Sequence, residues 1–448
     1  RGIHSLPWAD PRPGAHTVRA GLMFLWDQVN AGVMCPISMT HSVIPALREA
    51  PDLAAEWEPR LTSTEYGPRG EERSRGVGPA STGPGSPGAI AGMAMTEKQG
   101  GSDVRANTTS AVQQSDGTYA ITGHKWFCSY PPCDVFLTLA QAPAGLSCFL
   151  IEGADPGFQV QRLKDKLGTR SLPSSEVEFR NVTGRLVGEE GRGVQTIIRM
   201  VNHTRLDCLI GSASGMRVGT VQAIHHARHR SAFGNTLVDQ PAMQNVLADL
   251  ALESEAATAT AMRIARGYDE DDAAFRRVAT AVSKYWVCKR APLHAVEALE
   301  CLGGNGYVEE SGMPRLLRDS PLNSIWEGSG NVAALDVLRA LAREQDGLPA
   351  FLGEVEQAAG ADARLDAHLD GLKQRLAGLG EQDPQFAARR VVEDMGLALQ
   401  GSLLVRHAPA PVADAFCASR LAREGGHAWG TLPAGVDAKA IVDRAFAG

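Results

Sequence analysis

A change of texture along the chain constrains its fold most. From Ile90 to about Val187 the sequence reads as short β-rich runs punctuated by Gly and Pro: Tyr119–Ile121, Val135–Leu139, Ser147–Ile151, Phe158–Leu163 and Glu176–Phe179. On both sides the apolar spacing is helical. Val18 to Arg48 sets Leu22, Leu25, Trp26 and Val29 at helical intervals, and past Gly193 come Val194–Arg230, Pro241–Tyr268 and Asp272–Leu302. Asn331–Leu341 continues as helix. From Gly347 a Glu/Ala/Leu/Arg-rich tail keeps helical spacing, broken by Pro409 and Pro411. An all-β insert between helical segments makes an α+β multidomain chain, and 448 residues are too many for one core.

Composition narrows the function classes. A net charge of −7 gives no basic footprint for nucleic acid over the whole chain. The eight cysteines are scattered without a CxxC pair, which argues against a zinc ribbon or disulfide scaffold and for a reducing compartment. No apolar run reaches the ~18 residues of a membrane span and no signal-peptide core opens the chain, so a cytoplasmic protein with no membrane partner is expected.

Three patterns mislead. Gly83–Pro84–Gly85–Ser86–Pro87–Gly88 fits GxGxxG by letter, but two prolines remove N–H donors and no strand or helix flanks it, so it reads as a linker. His225 and His229 stand at i, i+4 among arginines with no carboxylate or Cys at ligand spacing; a solvated helix face is expected, and no metal site. Cys128 and Cys133 read as buried strand and turn residues rather than a redox couple.

The stretch Asn323–Asn331 places Glu327 between Trp326 and a Gly-bearing turn, Gly328–Ser329–Gly330, near the end of the long helices. By itself this could be a helix-capping turn. It also suits abstraction of a proton beside a carbonyl, which needs a carboxylate in a dry site with donors for the developing enolate. Four further motifs precede it in order: Met95–Thr96–Glu97–Lys98–Gln99–Gly100–Gly101–Ser102–Asp103–Val104, Gly123–Ser129, Arg230–Gly234 and Leu302–Tyr307. Together the five resemble the acyl-CoA dehydrogenase family. Within it, Met95–Val104, Leu163–Gly168 and Asn323–Asn331 are similar to the alkylation-response branch.

The resemblance implies the acyl-CoA dehydrogenase fold: residues 1–88 a partial N-terminal helical domain and linker, 89–190 a middle β-domain, 191–345 a C-terminal four-helix bundle, and 346–448 a helical extension. Because the chain opens on Arg and family members carry further N-terminal helices, a truncated copy is expected. The implied cofactor is FAD, bound without covalent linkage. Met95, Thr96 and Ser102 would lie on the loop along the flavin edge, and Phe127 and Ser129 in the flavin-contacting stretch, with Ser129 donating to N5. Arg230, Phe233 and Gln240 would reach the FAD of a neighbouring subunit, which implies a homo-oligomer, a dimer of dimers. Gly303 and Gly304 would admit the adenosine beside Glu300, where the family typically has Gln; Trp326, Ser329 and Asn331 would be further cofactor contacts. Glu327 would be the general base of an α,β-dehydrogenation of an acyl-CoA, passing electrons to a further acceptor, because Thr204 occupies the position of the family's alternative base and cannot abstract such a proton.

The alkylation-response branch implies a second reading, a DNA-binding flavoprotein with weak dehydrogenase activity. Residues 341–448 carry eleven Lys/Arg against fifteen Asp/Glu, which supports phosphate binding poorly. Only Arg389–Arg390, Arg406 and Arg420–Arg423 could form a basic stripe.

Overall fold

The computed structural model describes residues 2–65, 88–381 and 383–447, so the GxGxxG pattern lies outside them except for Gly88. The chain forms two compact units, Arg1–Trp26 with Asn30–Asp207, and Asp27–Val29 with Cys208–Gly448. This division is coarser than the four expected segments: residues 27–29 of the first segment belong to the second unit, and residues 191–207 of the third belong to the first.

The first unit opens with helices α1 (Leu6–Ala9), α2 (Ala15–Asp27), α3 (Ala31–Leu47) and α4 (Pro51–Leu61). Asn30 starts α3, its side chain accepting from Gly32 N at 3.0 Å, as a short polar side chain does for otherwise orphaned helix donors. Seven strands follow: β1 (Ala91–Ala94), β2 (Ser110–Gln113), β3 (Tyr119–Ser129), β4 (Val135–Ala142), β5 (Gly145–Glu152), β6 (Phe158–Leu163) and β7 (Ser174–Val187). β4 is apolar on both faces because it is interior. It pairs antiparallel with β5 from Val135↔Glu152 to Ala142↔Gly145, parallel with β1, and with β2 at Ser110↔Gln141. Since β2 pairs with β3, β3 with β7 and β7 with β5, the circuit closes into a barrel, leaving no edge on its five strands. β6 adds to β7 as an exposed strip. One core joins Val43, Leu47 and Trp57 of the helices to Phe136, Phe149 and Phe179 of the strands.

Helix α5 (Gly193–His229) starts in the first unit and continues in the second. Its Asp207 carboxylate takes both terminal nitrogens of the buried Arg19 and the Ser38 hydroxyl at 2.6 Å, fastening α2 and α3.

The second unit carries a short hairpin, β8 (Ser231–Ala232) and β9 (Asn235–Thr236), then α6 (Pro241–Asp269), α7 (Ala273–Glu300), α8 (Met313–Asp319) and α9 (Gly330–Arg343). The tail adds α10 (Gly347–Glu356), α11 (Ala363–Ala377), α12 (Pro384–His407), α13 (Ala410–Phe416) and α14 (Ala438–Ala447). Leu397, Leu404, Phe416 and Ile441 of the tail share a core with Ala223, Ile224, Leu247 and Leu250. Arg406 bonds Glu354 at 2.6 Å, Arg420 reaches Asp249 and Glu253, and Arg444 bonds Glu255 at 2.9 Å. Arg375, Arg390 and Arg423 all turn to Asp394, at 2.8, 3.0 and 3.5 Å. The arginines expected to form a basic stripe are thus largely engaged within the unit. Among the described residues no helix is long and apolar enough to cross a membrane.

Candidate active site

In the first unit the Met95–Val104 loop leaves β1 and is fixed from below. Glu97 is 2 % exposed and its two oxygens accept six bonds: Thr109 N (3.1 Å), Thr109 Oγ1 (2.6 Å) and Lys125 Nζ (3.2 Å) on one, Thr108 N (2.7 Å), Thr108 Oγ1 (3.0 Å) and Gln99 Nε2 (3.0 Å) on the other. Burial pushes the carboxyl's pKa up, but the bonds from Thr108, Thr109 and Gln99 and the Lys125 charge outweigh it and hold it well below the usual carboxylate range. Lys125, fully buried on β3, also donates to Leu139 O at 2.9 Å; desolvation lowers it to about 8, with Glu97 opposing a further fall. The loop is pinned twice more, by Trp126 N to Thr96 O at 2.8 Å and by Asn107 Nδ2 to Met95 O at 3.0 Å. Met95 and Thr96 stay half-buried while Ser102 is exposed.

β3 is irregular where this matters. Its register against β7 shifts between Lys125 and Cys128, and such a bulge re-aims side chains. Phe127 comes out 49 % exposed, Cys128 is buried and Ser129 is half-buried. Beside Phe127, the Lys164 ammonium lies 3.1 Å from the Trp126 ring centroid and 4.8 Å from that of Phe127, while bonding Glu176 at 2.7 Å. Cys128 and Cys133 are both buried free thiols, and desolvation pushes Cys128 up to about 12, so it is no nucleophile.

In the second unit Glu327 sits in the turn between a short 3-10 segment, Leu322–Ser324, and α9. Its φ is +57°, a left-handed conformation that costs a residue with a Cβ about 1–2 kcal/mol, and Gly328 follows at +103°. Trp326 Nε1 donates to Asn323 Oδ1 at 3.0 Å. The Gly328 carbonyl accepts from Lys284 Nζ on α7, a side chain only 1 % exposed. Just beyond, Asn331 Oδ1 accepts from Arg389 Nε at 2.8 Å, and Lys289 packs so closely on Gly330 that a Cβ there would meet its Cε at 2.8 Å. Ser329 is half-buried and Asn331 exposed.

The hairpin after α5 holds the next group. Phe233 and Gly234 form its two-residue tip with φ of +52° and +82°, the pairing that a tight right-twisted hairpin requires. Phe233 is 96 % exposed. Arg230 is exposed at the helix end, its carbonyl taking Leu237 N at 2.8 Å, and Gln240 Nε2 donates to Ala232 O at 2.9 Å. At the far end of α7, Glu300, Gly303 and Gly304 are exposed, and a Cβ on either glycine would meet open space. Thr204 is buried in α5, its hydroxyl donating to Val201 O at 3.1 Å. His225 and His229 are exposed with rings 4.4 Å apart; among the described residues no three His, Cys, Asp or Glu groups are assembled for a metal ion.

Sequence reasoning singled out Glu97 and Lys125 only as motif letters, and missed Lys284 altogether. Each partner lies far along the chain, 28 residues apart in the first pair and 44 from Lys284 to Gly328, so no local pattern announces them.

Comparison with known proteins agrees along the chain. Residues 1–68 match the family model described as the adaptive response protein AidB N-terminal domain, residues 92–182 the acyl-CoA dehydrogenase middle domain, and residues 191–342 the acyl-CoA dehydrogenase C-terminal domain. The putative acyl-CoA dehydrogenase AidB of Escherichia coli (strain K12) is 41% identical over 440 residues, covering 95% of this chain and 78% of that protein. Acyl-CoA dehydrogenase family member 11 of Caenorhabditis elegans is 32% identical over 86% of this chain and 67% of its own. The crystal structure of Caenorhabditis elegans ACDH-11 in complex with C11-CoA superposes with a TM-score of 0.85 at 29% identity, over 94% of this chain and 77% of the other. Butyryl-CoA dehydrogenase from Megasphaera elsdenii, at 22% identity and a TM-score of 0.67 over 76% of this chain and 88% of that one, shares the fold. With its three successive domains matched and this identity spread over nearly its whole length, the chain belongs to the acyl-CoA dehydrogenase family of flavoprotein oxidoreductases, as an AidB-like member.

Proposed function

We propose that the protein binds FAD and catalyses α,β-dehydrogenation of an acyl-CoA thioester with Glu327 as general base. The observation that carries this reading is the Glu327 turn: a half-buried glutamate held at a costly positive φ between Trp326 and Gly328, whose carbonyl a buried lysine holds. Strain of that kind persists only where the surrounding structure imposes it, and it concentrates at functional sites. Glu327 would take the α-proton of the substrate, and the backbone N–H groups of the turn would polarise the thioester carbonyl. When bound, FAD supplies the acceptor for the hydride leaving Cβ.

The residues fit such a group. Phe127 offers an exposed aromatic face, the Ser129 hydroxyl can donate at the flavin edge, and the pinned Thr96–Ser102 loop supplies backbone and hydroxyls. The exposed Arg230 guanidinium suits a diphosphate, and the open backbone at Gly303–Gly304 admits an adenosine. Phe233, exposed and strained, supports a role against a second copy of the chain, hence a dimer or a dimer of dimers. The C11-CoA complex of the similar nematode protein supports an acyl-CoA as substrate. The DNA reading draws little support, because the tail is net acidic and its arginines are held in internal ion pairs.

The test is Glu327→Gln in FAD-reconstituted protein. Flavin reduction by a series of acyl-CoA thioesters should slow by at least about a hundredfold with FAD content unchanged. Equal rates in parent and variant would refute the assignment. A duplex titration at two salt concentrations on the same preparation should show weak binding; tight, steeply salt-dependent binding would favour the DNA role instead.

A further inference from the structure

Lys284 is a buried cation without an anion. It lies on α7 with 1 % of its surface exposed, it enters no ion pair among the described residues, and its hydrogen bond goes to a carbonyl, that of Gly328. An ammonium removed from water costs several kcal/mol unless strongly compensated. A long apolar side chain would fill the same space more cheaply. The carbonyl that compensates it belongs to the residue after Glu327, in a turn where Gly328 takes its +103° φ freely but the +57° φ of Glu327 does not form by local preference. Ion–dipole attraction from Lys284 holds that carbonyl inward and so fixes the peptide plane between Glu327 and the start of α9.

We propose that Lys284 is a positioning residue for the Glu327 carboxylate, holding the turn in the left-handed geometry from which the base acts. The proposal rests on the dehydrogenase reading for its catalytic consequence, but its structural half stands alone. Its neighbours act elsewhere: Lys289 packs on Gly330, and Arg389 is taken by Asn331. Lys284 therefore works through the Gly328 carbonyl, and hence through the backbone.

Two variants separate bond from bulk. Lys284→Met fills the space without a donor; Lys284→Gln keeps a donor but loses the charge. Two readouts are taken on FAD-reconstituted protein: amide hydrogen exchange of residues 322–330, and acyl-CoA titration resolved into a binding constant and a limiting rate of flavin reduction. In Lys284→Met, exchange in the turn should accelerate at least tenfold and the limiting rate should fall about a hundredfold, the scale of an ångström-level misplacement. Acyl-CoA affinity and FAD content should stay within about twofold, and Lys284→Gln should recover part of both losses. Parent-like exchange and parent-like rate in Lys284→Met would overturn the proposal. Where Lys284→Met does not fold, parent-like values in Lys284→Gln overturn it, and failure of both variants to fold overturns it by making Lys284 a folding residue. If the parent flavin is not reduced by any acyl-CoA, the dehydrogenase reading falls, while the exchange data still decide whether Lys284 holds the turn.

Discussion

Replacing Glu97 by Gln should be among the most damaging conservative changes in the chain. All six groups around its carboxylate are donors, three to each oxygen. A carboxamide can accept on one side only, so its NH2 faces either Thr108 N or Thr109 N, donor against donor. An orphaned buried donor costs about 1–3 kcal/mol, and removing one partner of a buried ion pair about 3–5 kcal/mol. These overlap, and a total loss of about 3–5 kcal/mol is expected at pH 7. The sign of the pH dependence follows from the depressed Glu97 pKa. Its stabilisation is fully present above the unfolded value of ~4.3 and is lost as pH falls through the lower folded value, so parent and variant should converge in acid. At the alkaline end, Lys125 titrates at about 8 in the fold against ~10.4 unfolded, so its contribution becomes more favourable between those values. Without Glu97 that rise should begin at lower pH. Urea unfolding of the FAD-free protein from pH 3.5 to 9, followed by far-UV circular dichroism, measures all of this, and FAD affinity should fall in parallel because the same loop carries Thr96 and Ser102. A loss below about 1 kcal/mol at pH 7, or the same loss at pH 3.5, would refute the reasoning; a Glu97→Gln/Lys125→Met double variant should be more stable than the single one.

Other outcomes follow from features elsewhere. The buried His41 accepts from Trp8 Nε1 at 2.9 Å, and desolvation, with the charges of Arg19, His203 and His16, keeps it neutral well below its ordinary pKa. Its protonation therefore opposes folding: stability should drop as pH falls below ~6.5 by up to about 1.4 kcal/mol per unit, and His41→Asn should flatten that slope in denaturation midpoints from pH 7 to 5. Phe233→Gly relieves the +52° φ and should stabilise the subunit by about 1 kcal/mol, yet lower FAD content and loosen the oligomer in sedimentation; unchanged flavin content would detach this tip from the cofactor. Arg420→Ala leaves Asp249 without this partner and Glu253 with Arg290, and should cost about 3–5 kcal/mol of thermal stability, whereas a loss under 1 would show that those acids find water.

What the sequence made legible was periodic. The helix read as Val194–Arg230 is Gly193–His229, and the five short runs from Tyr119 to Phe179 all lie in strands, since apolar spacing is a local record of which face is buried. Ring closure of the sheet was not legible, because β4 meets β2 and β5 through pairings that leave no mark on either strand. The candidate base was visible through its aromatic and glycine neighbours. The left-handed backbone at Glu327 and Phe233 was not, because neither residue type favours it, and nor was the lysine beneath Gly328, which only the packing of α7 delivers.

The ion pairs of the tail bear on how the second unit unfolds. Asp249 and Glu253 on α6 sit 2–3 % exposed and share Arg420 from beyond α13, while Arg263 of the same helix answers Glu354 in the tail. Cutting the chain after α9 would take Arg420 from Asp249 and Glu354 from Arg263, while Glu253 would keep Arg290 and Arg263 would keep Glu270 and Asp272, so the shorter piece would be destabilised chiefly at Asp249. The tail helices and the helices they pack on should therefore melt together, in one transition rather than two.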